Sequence, residues 1–191
     1  MKSHIETVKT SGLKPRMLLH TCCAPCSTHV LELLREQFEL TLYFYDPNIH
    51  PREEYEMRRD EMRDYADKFS LAFVEGPYDV ERWFELTKGH GSDKEGSERC
   101  FLCYEVRLRE SARFASDNGF EYFGTVLSIS PHKKADKINE IGRSLAGEYG
   151  INYLEADFKK KDGFKRSIAL SREHGLYRQD YCGCVYSRRE A

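Results

Sequence analysis

Short apolar runs alternate with longer amphipathic segments along this chain. Residues 17–19 form a run typical of a buried strand, and the apolar positions within 30–34 recur at helical spacing. The aromatic and β-branched segment 38–45 predicts a second strand, which the prolines at positions 47 and 51 bring to an end. Three further strands are predicted at 71–74, 122–129 and 151–154.

Helical periodicity fills the segments between these strands. Residues 53–69 carry apolar side chains on one face and charges on the other, which predicts a helix with a solvated charged face. Further helices are predicted at 78–87, at 100–117, after Lys134 through about Gly147, and at 163–174. The alternation predicts an α/β fold: a mainly parallel sheet with helices on both faces, Rossmann-like or PP-loop-like. We expect one domain at 16–191 behind an N-terminal extension at 1–15.

The composition agrees with a single globular domain. The 191 residues are 40% hydrophobic, which suits one sizeable core. No apolar run approaches the roughly 18 residues of a membrane span, and the polar N-terminus lacks the apolar centre of a signal peptide, so we expect a cytoplasmic protein without a membrane partner. A net charge of −2 argues against a generally basic coat for nucleic acid and leaves room for local basic patches.

Seven cysteines stand in three tight clusters. This pattern suits metal or redox chemistry in a reducing compartment better than a disulfide framework. Cys22, Cys23 and Cys26 lie between the first predicted strand and helix, where the helix N-terminus lowers thiol pKa values. The loops that follow parallel strands meet at one edge of the sheet, so these thiols should converge with the loops at 46–51 and 128–133.

Cys100 and Cys103 open a predicted helix and could complete a four-thiolate site with Cys22 and Cys23. Spacing alone leaves the metal open, because zinc and iron-sulfur clusters accept the same ligands. The adjacent pair at 22–23 and the surplus thiol Cys26 are unusual for zinc ribbons, which favours iron-sulfur. For any single cysteine the alternative is a small buried hydrophobe.

Five ordered motifs extend over roughly residues 16–188: HTCCAPC, YDPNIHP with a following EYEMR, CFLCYEVRL, SISPHKK and the terminal YCGC. Together they resemble the cobalamin-independent epoxyqueuosine reductase family, oxidoreductases that reduce the epoxide of epoxyqueuosine at the tRNA wobble position to give queuosine, the final step of its biosynthesis. The resemblance implies a 4Fe-4S cluster held by Cys22, Cys23, Cys100 and Cys103. It also implies an additional iron, for which Cys26 and Asp46 are suitable ligands, and a redox-active pair, Cys182 and Cys184.

The implied reaction is consistent with these residue types. Removing an epoxide oxygen to leave an alkene takes two electrons, whereas one cluster passes a single electron at a time. A Lewis-acidic iron could polarise the oxygen, and Cys182-Gly183-Cys184 could store two electrons as a strained disulfide. The alternative for this pair is unpaired thiols or extra metal ligands. No glycine-rich dinucleotide fingerprint follows a predicted strand, so electrons must come from an external low-potential donor.

Histidines and basic residues supply further candidates. His20 and His50 could donate a proton or position substrate, although a lone histidine beside a core strand is more often structural. His132 is expected to hold phosphate or orient its loop. Basic clusters that could hold a tRNA are Lys133, Lys134 and Lys137, Lys159 to Lys161 with Lys165 and Arg166, and Arg188 with Arg189; Tyr177, Tyr181 and Tyr186 offer stacking surfaces. Each basic cluster alone is more often a solvated face.

Two other classes of function fit part of the pattern. An ATP-dependent tRNA sulfur transferase of the PP-loop type would share the N-terminal strand, tight loop and helix. However, cysteines and Pro25 stand where a glycine-rich loop would bind phosphate. A zinc-stabilised RNA-binding module would not need Cys26, Cys182 and Cys184.

Overall fold

The computed structural model of the protein describes residues 13–188. Most of the extension predicted at 1–15, and Arg189, lie outside the described residues. The strands are β1 (Arg16–Thr21), β2 (Glu39–Phe44), β3 (Ala72–Glu75), β4 (Tyr122–Thr125) and β5 (Asn152–Tyr153). They form one five-stranded sheet in the order β3-β2-β1-β4-β5, and all neighbours pair in parallel.

Helices cover both faces of this sheet. They are α1 (Ala24–Leu34), α2 (Arg52–Lys68), α3 (Val80–Leu86), α4 (Glu98–Asp117), α5 (Ala135–Tyr149) and α6 (Gly163–Glu173). Right-handed crossovers place α1 and α2 on one face and α4 and α5 on the other, while α6 packs against α1. The predicted α/β fold is therefore confirmed. Among the helices of residues 13–188, none is long and apolar enough to cross a membrane.

The central strand β1 is buried on both faces, which explains its unbroken apolar run. The chain moves from β1 towards β2 and, later, from β4 towards β5, so the strand order reverses between β1 and β4. Loops that leave two neighbouring strands in opposite directions open a crevice at the carboxyl ends. Residues 22–26 follow β1 and residues 126–133 follow β4, so the predicted site faces this crevice.

The strand predicted at 122–129 is wrong in its second half. Val126–Ile129 form a 3₁₀ helix, because the Thr125 hydroxyl accepts the N–H of Leu127 at 3.2 Å and turns the chain out of the sheet. The segment is buried through contacts with α1 and α5. The apolar residues of this segment are therefore buried without pairing in the sheet.

Candidate active site

Three thiols meet at the start of α1. Cys22 and Cys23 follow β1, and Pro25 lies in the first helical turn, where a missing backbone N–H breaks no helical hydrogen bond. The Sγ atoms of Cys22, Cys23 and Cys26 lie within 4.8 Å of one another. The separation is 4.0 Å between Cys22 and Cys23 and 2.7 Å between Cys23 and Cys26. In residues 13–188, no other group of three or more His, Cys, Asp or Glu side chains is close enough to hold a metal ion.

The thiols at the start of α1 differ in pKa. Burial opposes ionisation of Cys23, but sulfur hydrogen bonds with Cys22 and Cys26, followed by the charge of Arg58, hold the pKa of Cys23 well below its usual range. The same sulfur contacts raise the pKa of Cys26 well above its usual range. A thiolate at Cys23 supported by two neighbouring thiols suits a soft metal ligand set.

The C-terminal thiols lie in a second cluster. The Sγ atoms of Cys182 and Cys184 are 3.6 Å apart. Cys184 packs with Cys103 against the indole of Trp83. The hydrogen bond with Cys184 and, against the effect of burial, the charge of Lys133 hold the pKa of Cys182 well below its usual range. All seven cysteines are free thiols, so a redox-active disulfide stays a prediction.

Cys100 and Cys103 occupy the first turns of α4, as predicted. Cys103 is buried, which raises the pKa of its thiol, whereas the half-buried Cys100 accepts the N–H of Gly96 at 3.2 Å. Neither belongs to the group of thiols at the start of α1. The four-thiolate set that includes them stays a prediction.

A buried arginine lies between the thiol clusters. Arg107, one helical turn after Cys103, is 3% exposed, and its guanidinium pairs with the carboxylate of Asp46. Its charge also interacts with Cys103, Cys22 and Cys182. Burial raises the pKa of Asp46 to about 7, while Arg107 limits the rise. The sequence pattern did not single out Arg107, although its i+4 spacing from Cys103 was an available signal.

The two candidate histidines have different surroundings. His20 places Nδ1 2.8 Å from the Thr125 hydroxyl and Nε2 3.2 Å from the Tyr45 carbonyl. Burial, followed by the Arg107 charge, lowers the pKa of His20 to about 3, so the ring is neutral and both nitrogens are engaged. This matches the structural alternative. His50 stacks on Phe84 with ring centroids 4.9 Å apart, and burial lowers its pKa.

Arg58 fixes the C-terminal segment to α2. Its guanidinium donates to the carbonyls of Cys182 at 3.1 Å and Tyr181 at 3.3 Å. The backbone of His50 adds two bonds: its N–H donates to the Gly183 carbonyl at 2.8 Å, and its carbonyl accepts the Tyr181 hydroxyl at 3.0 Å. Arg58 is 1% exposed, so the prediction that the charges of this helix form a solvated face is wrong at this position.

Gly183 permits this close docking. Its φ is +111°, a conformation that side chains strongly disfavour. A Cβ there would lie 2.9 Å from the side chain of Ile49 and 3.1 Å from the Arg58 guanidinium. Glycine is therefore required between the two cysteines by the backbone and by its neighbours.

A cavity of about 260 Å³ opens beside the thiols. Its wall combines the loops after β1 and β4 with the C-terminal segment, and includes Cys22, Cys26, Lys133, Gln179, Tyr181 and Cys182. His132 also lines it, whereas His20 and His50 do not. The structure thus brings residues from three separated motifs to one small-molecule-sized space.

Buried polar atoms without a hydrogen-bond partner concentrate around the cysteines. Residues 13–188 contain eight such side-chain atoms, and six of them are in or beside the site: Asp46 Oδ2, Asn48 Oδ1, His50 Nε2, Trp83 Nε1, Arg107 Nε and Gln179 Oε1. Each unpaired group costs about 1–3 kcal/mol, so their concentration suits a bound group. The cations of Arg58, Arg107 and Lys133 would offset the charge of several thiolates. The residues present therefore fit a thiolate-bound iron cofactor.

Fold and site together define an α/β protein with a parallel sheet and a cysteine-rich site at the carboxyl edge of that sheet. The profile of the family described as epoxyqueuosine reductase QueH matches residues 17–190. The chain therefore belongs to the QueH family of epoxyqueuosine reductases, which confirms the resemblance carried by the five motifs.

Curated relatives named epoxyqueuosine reductase QueH match over most of their length. The relative from Staphylococcus epidermidis is 37% identical over 195 residues, covering 98% of this chain and 82% of the relative. The relative from Acinetobacter baylyi is 40% identical over 177 residues, covering 92% of this chain and 81% of the relative. The relative from Thermotoga maritima is 37% identical, covering 91% of each chain.

Solved structures with a similar fold are more distant. The U34-tRNA thiolase NcsA from Methanococcus maripaludis, solved with its [4Fe-4S] cluster, gives a TM-score of 0.55 at 12% identity, covering 92% of this chain and 62% of that one. A predicted subunit of a tRNA methyltransferase from Methanocaldococcus jannaschii gives a TM-score of 0.56 at 11% identity. The match covers 92% of this chain and 100% of that one. At these identities the likeness concerns the fold alone.

Replacing Arg58 by alanine should loosen the C-terminal segment and destabilise the protein. Glu54, 10% exposed, would lose its ion-pair partner, which typically costs about 3–5 kcal/mol. Urea unfolding and hydrogen exchange at residues 181–184 measure the two effects. The matched control is Arg63→Ala on the same helix, whose side chain is 42% exposed and should contribute at most about 1 kcal/mol. Equal effects of the two substitutions would contradict the anchoring role.

Proposed function

We propose that this protein is an epoxyqueuosine reductase that removes the epoxide oxygen of epoxyqueuosine at the tRNA wobble position and leaves queuosine. Membership in the QueH family supports this reaction. The structural observation that carries the proposal is the close group of Cys22, Cys23 and Cys26, two of which line the cavity. The proposal includes independence of cobalamin and action in the cytoplasm, as expected from the sequence.

We assign a 4Fe-4S cluster to Cys22, Cys23, Cys100 and Cys103. Cysteine thiolates are the ordinary ligands of such clusters, and the unpaired Asp46 Oδ2 together with Cys26 suits an additional iron. When bound, these groups would supply single electrons and a Lewis acid. Arg107 has a separate role, because its buried charge favours the thiolate form of the cysteines around it.

Cys182 and Cys184 hold the two electrons that the reaction needs, and the Cys184 thiol holds one of its two protons. As a bond forms between their sulfurs, now 3.6 Å apart, the Cys182 thiolate and the Cys184 thiol pass two electrons and the Cys184 proton to the substrate, and solvent in the cavity supplies the second proton. Both C–O bonds of the epoxide break, the oxygen leaves as water, and an alkene remains. An external low-potential donor then supplies two electrons, and solvent one proton, to restore the thiolate and the thiol, which closes the cycle.

Within residues 13–188, three cations line the cavity: Arg58, Lys133 and Arg178. We assign Lys133 to the departing oxygen, because Arg58 binds the carbonyls of the C-terminal segment and Arg178 binds the Ser171 hydroxyl. Burial lowers the pKa of Lys133, but the charges of Cys182, Tyr104 and Cys22 together outweigh burial and raise this pKa above its usual value, so Nζ stays protonated. An ammonium group in the wall can donate a hydrogen bond to an oxygen as negative charge develops on it. The neighbouring His132 is exposed and remains available to a phosphate or to the loop.

A basic groove beside the cavity suits the phosphates of the tRNA. Lys133 and Pro131 line both spaces, and the groove adds Lys134, Lys137, Lys159 and Lys160. Its acidic residues are Asp136, Glu140 and Asp157, so lysines outnumber acids by five to three. Lys134 and Lys137 place their ammonium groups 5.3 Å and 5.6 Å from the ring centroid of Phe101. A different depression, lined by Glu53, Glu54 and Asp180 with Tyr177 and Arg188, is acidic and disfavours RNA. We therefore place the tRNA backbone along the loop before α5.

Turnover without an organic cofactor tests the function. Protein reconstituted anaerobically with iron and sulfide, and given a low-potential one-electron donor, should convert epoxyqueuosine in tRNA to queuosine without ATP or cobalamin. Nucleoside analysis of the digested tRNA measures the product. An absolute requirement for ATP would favour sulfur transfer, and one for cobalamin would remove the proposed chemistry.

Single cysteine variants separate metal binding from electron storage. Cys100→Ser and Cys103→Ser should lose iron and acid-labile sulfide, because a thiolate ligand is removed. Cys182→Ser should retain both but fail to turn over. Metal and sulfide analysis alongside the nucleoside assay checks the difference. If Cys182→Ser lost iron as completely as Cys100→Ser, the terminal pair would be ligands, and stoichiometric zinc without sulfide in the unsubstituted protein would exclude the cluster.

Removing two groove lysines should weaken tRNA binding without blocking chemistry. In Lys134→Ala/Lys160→Ala, KM should rise with little change in kcat, and the slope of log affinity against log salt should fall by about 1 to 2. Filter binding at several salt concentrations measures the slope. The control is Lys68→Ala/Lys88→Ala, which removes the same charge from exposed positions outside the groove. An equal loss of tRNA affinity in the two double variants would indicate a general charge effect.

A further inference from the structure

Trp83 lies beside the thiols and has no role in the proposed reaction. It is the only tryptophan of the chain and is fully buried on α3. It forms a small cluster with Cys103 and Cys184, separate from the main core, and Cys182 packs against this cluster. Its indole therefore has sulfur atoms as close neighbours where a core tryptophan would have aliphatic carbon.

The polar atom of this side chain has no partner. Trp83 Nε1 is buried and makes no hydrogen bond within residues 13–188. Aromatic rings surround the indole elsewhere: His50, Phe84 and Tyr186 have ring centroids 5.4 Å, 5.2 Å and 6.1 Å from it. A buried indole N–H usually finds an acceptor. The sulfurs of the same cluster are the available acceptors, and a thiolate accepts more strongly than a thiol.

Packing points to Cys103 as that acceptor. Cys103 and Cys184 are the two cysteines buried in the cluster with Trp83. The sulfur of Cys184 already interacts with that of Cys182 at 3.6 Å, and Cys182 lies 3.2 Å from the Ser187 hydroxyl. The sulfur of Cys103 has no such partner within residues 13–188, so it is the one free to accept the indole N–H from α3.

We propose that Trp83 is a positioning residue whose N–H, without a partner within residues 13–188, donates to the Cys103 sulfur when that sulfur is a cluster ligand and thereby raises the reduction potential of the cluster. The inference rests on the proposed function, because it requires Cys103 as a cluster ligand. Reduction adds negative charge to the cluster and its sulfur ligands. A donor that stabilises this charge makes reduction easier, and hydrogen bonds to ligand sulfur are among the groups that set such potentials.

Isosteric replacement of the indole nitrogen tests this role. Because the chain has one tryptophan, growth on benzothienylalanine replaces the N–H of this residue alone by sulfur and keeps the ring size. The holoprotein should retain its iron and sulfide, while its reduction equilibrium constant falls by up to about tenfold, or 59 mV for one electron. Trp83→Phe should shift the potential in the same direction. Phe84→Leu, at the neighbouring exposed ring, should leave it unchanged.

A second measurement detects the contact directly. Protein labelled with ¹⁵N in the indole should show nitrogen coupling to the unpaired spin of the reduced cluster in pulsed electron paramagnetic resonance. Unchanged potentials at equal iron content, or an uncoupled indole nitrogen, would overturn the role of Trp83 while leaving the proposed function standing. Unsubstituted protein that binds no iron-sulfur cluster would refute the proposed function first, and this inference with it.

Discussion

The buried charge of Arg107 is the interaction on which the site depends. An arginine and an aspartate removed from water lose hydration that their mutual attraction only partly restores. Asp46 provides one partner, and the sulfurs of Cys22, Cys103 and Cys182 provide further negative charge when ionised. The guanidinium therefore stabilises the thiolates, and the thiolates in turn stabilise the charged guanidinium. A cofactor bound by thiolates would complete this balance of charge.

The topology of the sheet decides where this charge lies. Strand order reverses between β1 and β4, so the loops after these strands diverge at the carboxyl edge. α4 crosses the same region and carries Cys103 and Arg107 one turn apart, towards the loops that hold Cys22 and Asp46. The site is thus assembled from the loops after β1, β2 and β4, from α4 and from the C-terminal segment.

The C-terminal segment closes the site from the opposite end of the chain. Three kinds of contact hold it: the Arg58 guanidinium, the backbone of His50, and the packing of Cys184 on Trp83. Most of these bonds are made to its backbone, so the side chains of Cys182 and Tyr181 stay directed to the cavity wall. This leaves the Cys182 thiol at the cavity, with Cys184 buried behind it, while the backbone of both residues is fixed.

Local patterns determined the fold class and indicated the cysteine site at the start of α1. Apolar periodicity predicted the strands and helices, and the clustered cysteines indicated where the site would lie, because both signals reside in short stretches of sequence. Tertiary structure decided which residues meet. Val126–Ile129 is buried without pairing, and Arg58 and Arg107 look like surface charges in their helices until the loops and the C-terminal segment cover them. Burial of a charge depends on partners far along the chain, and no local periodicity records those partners.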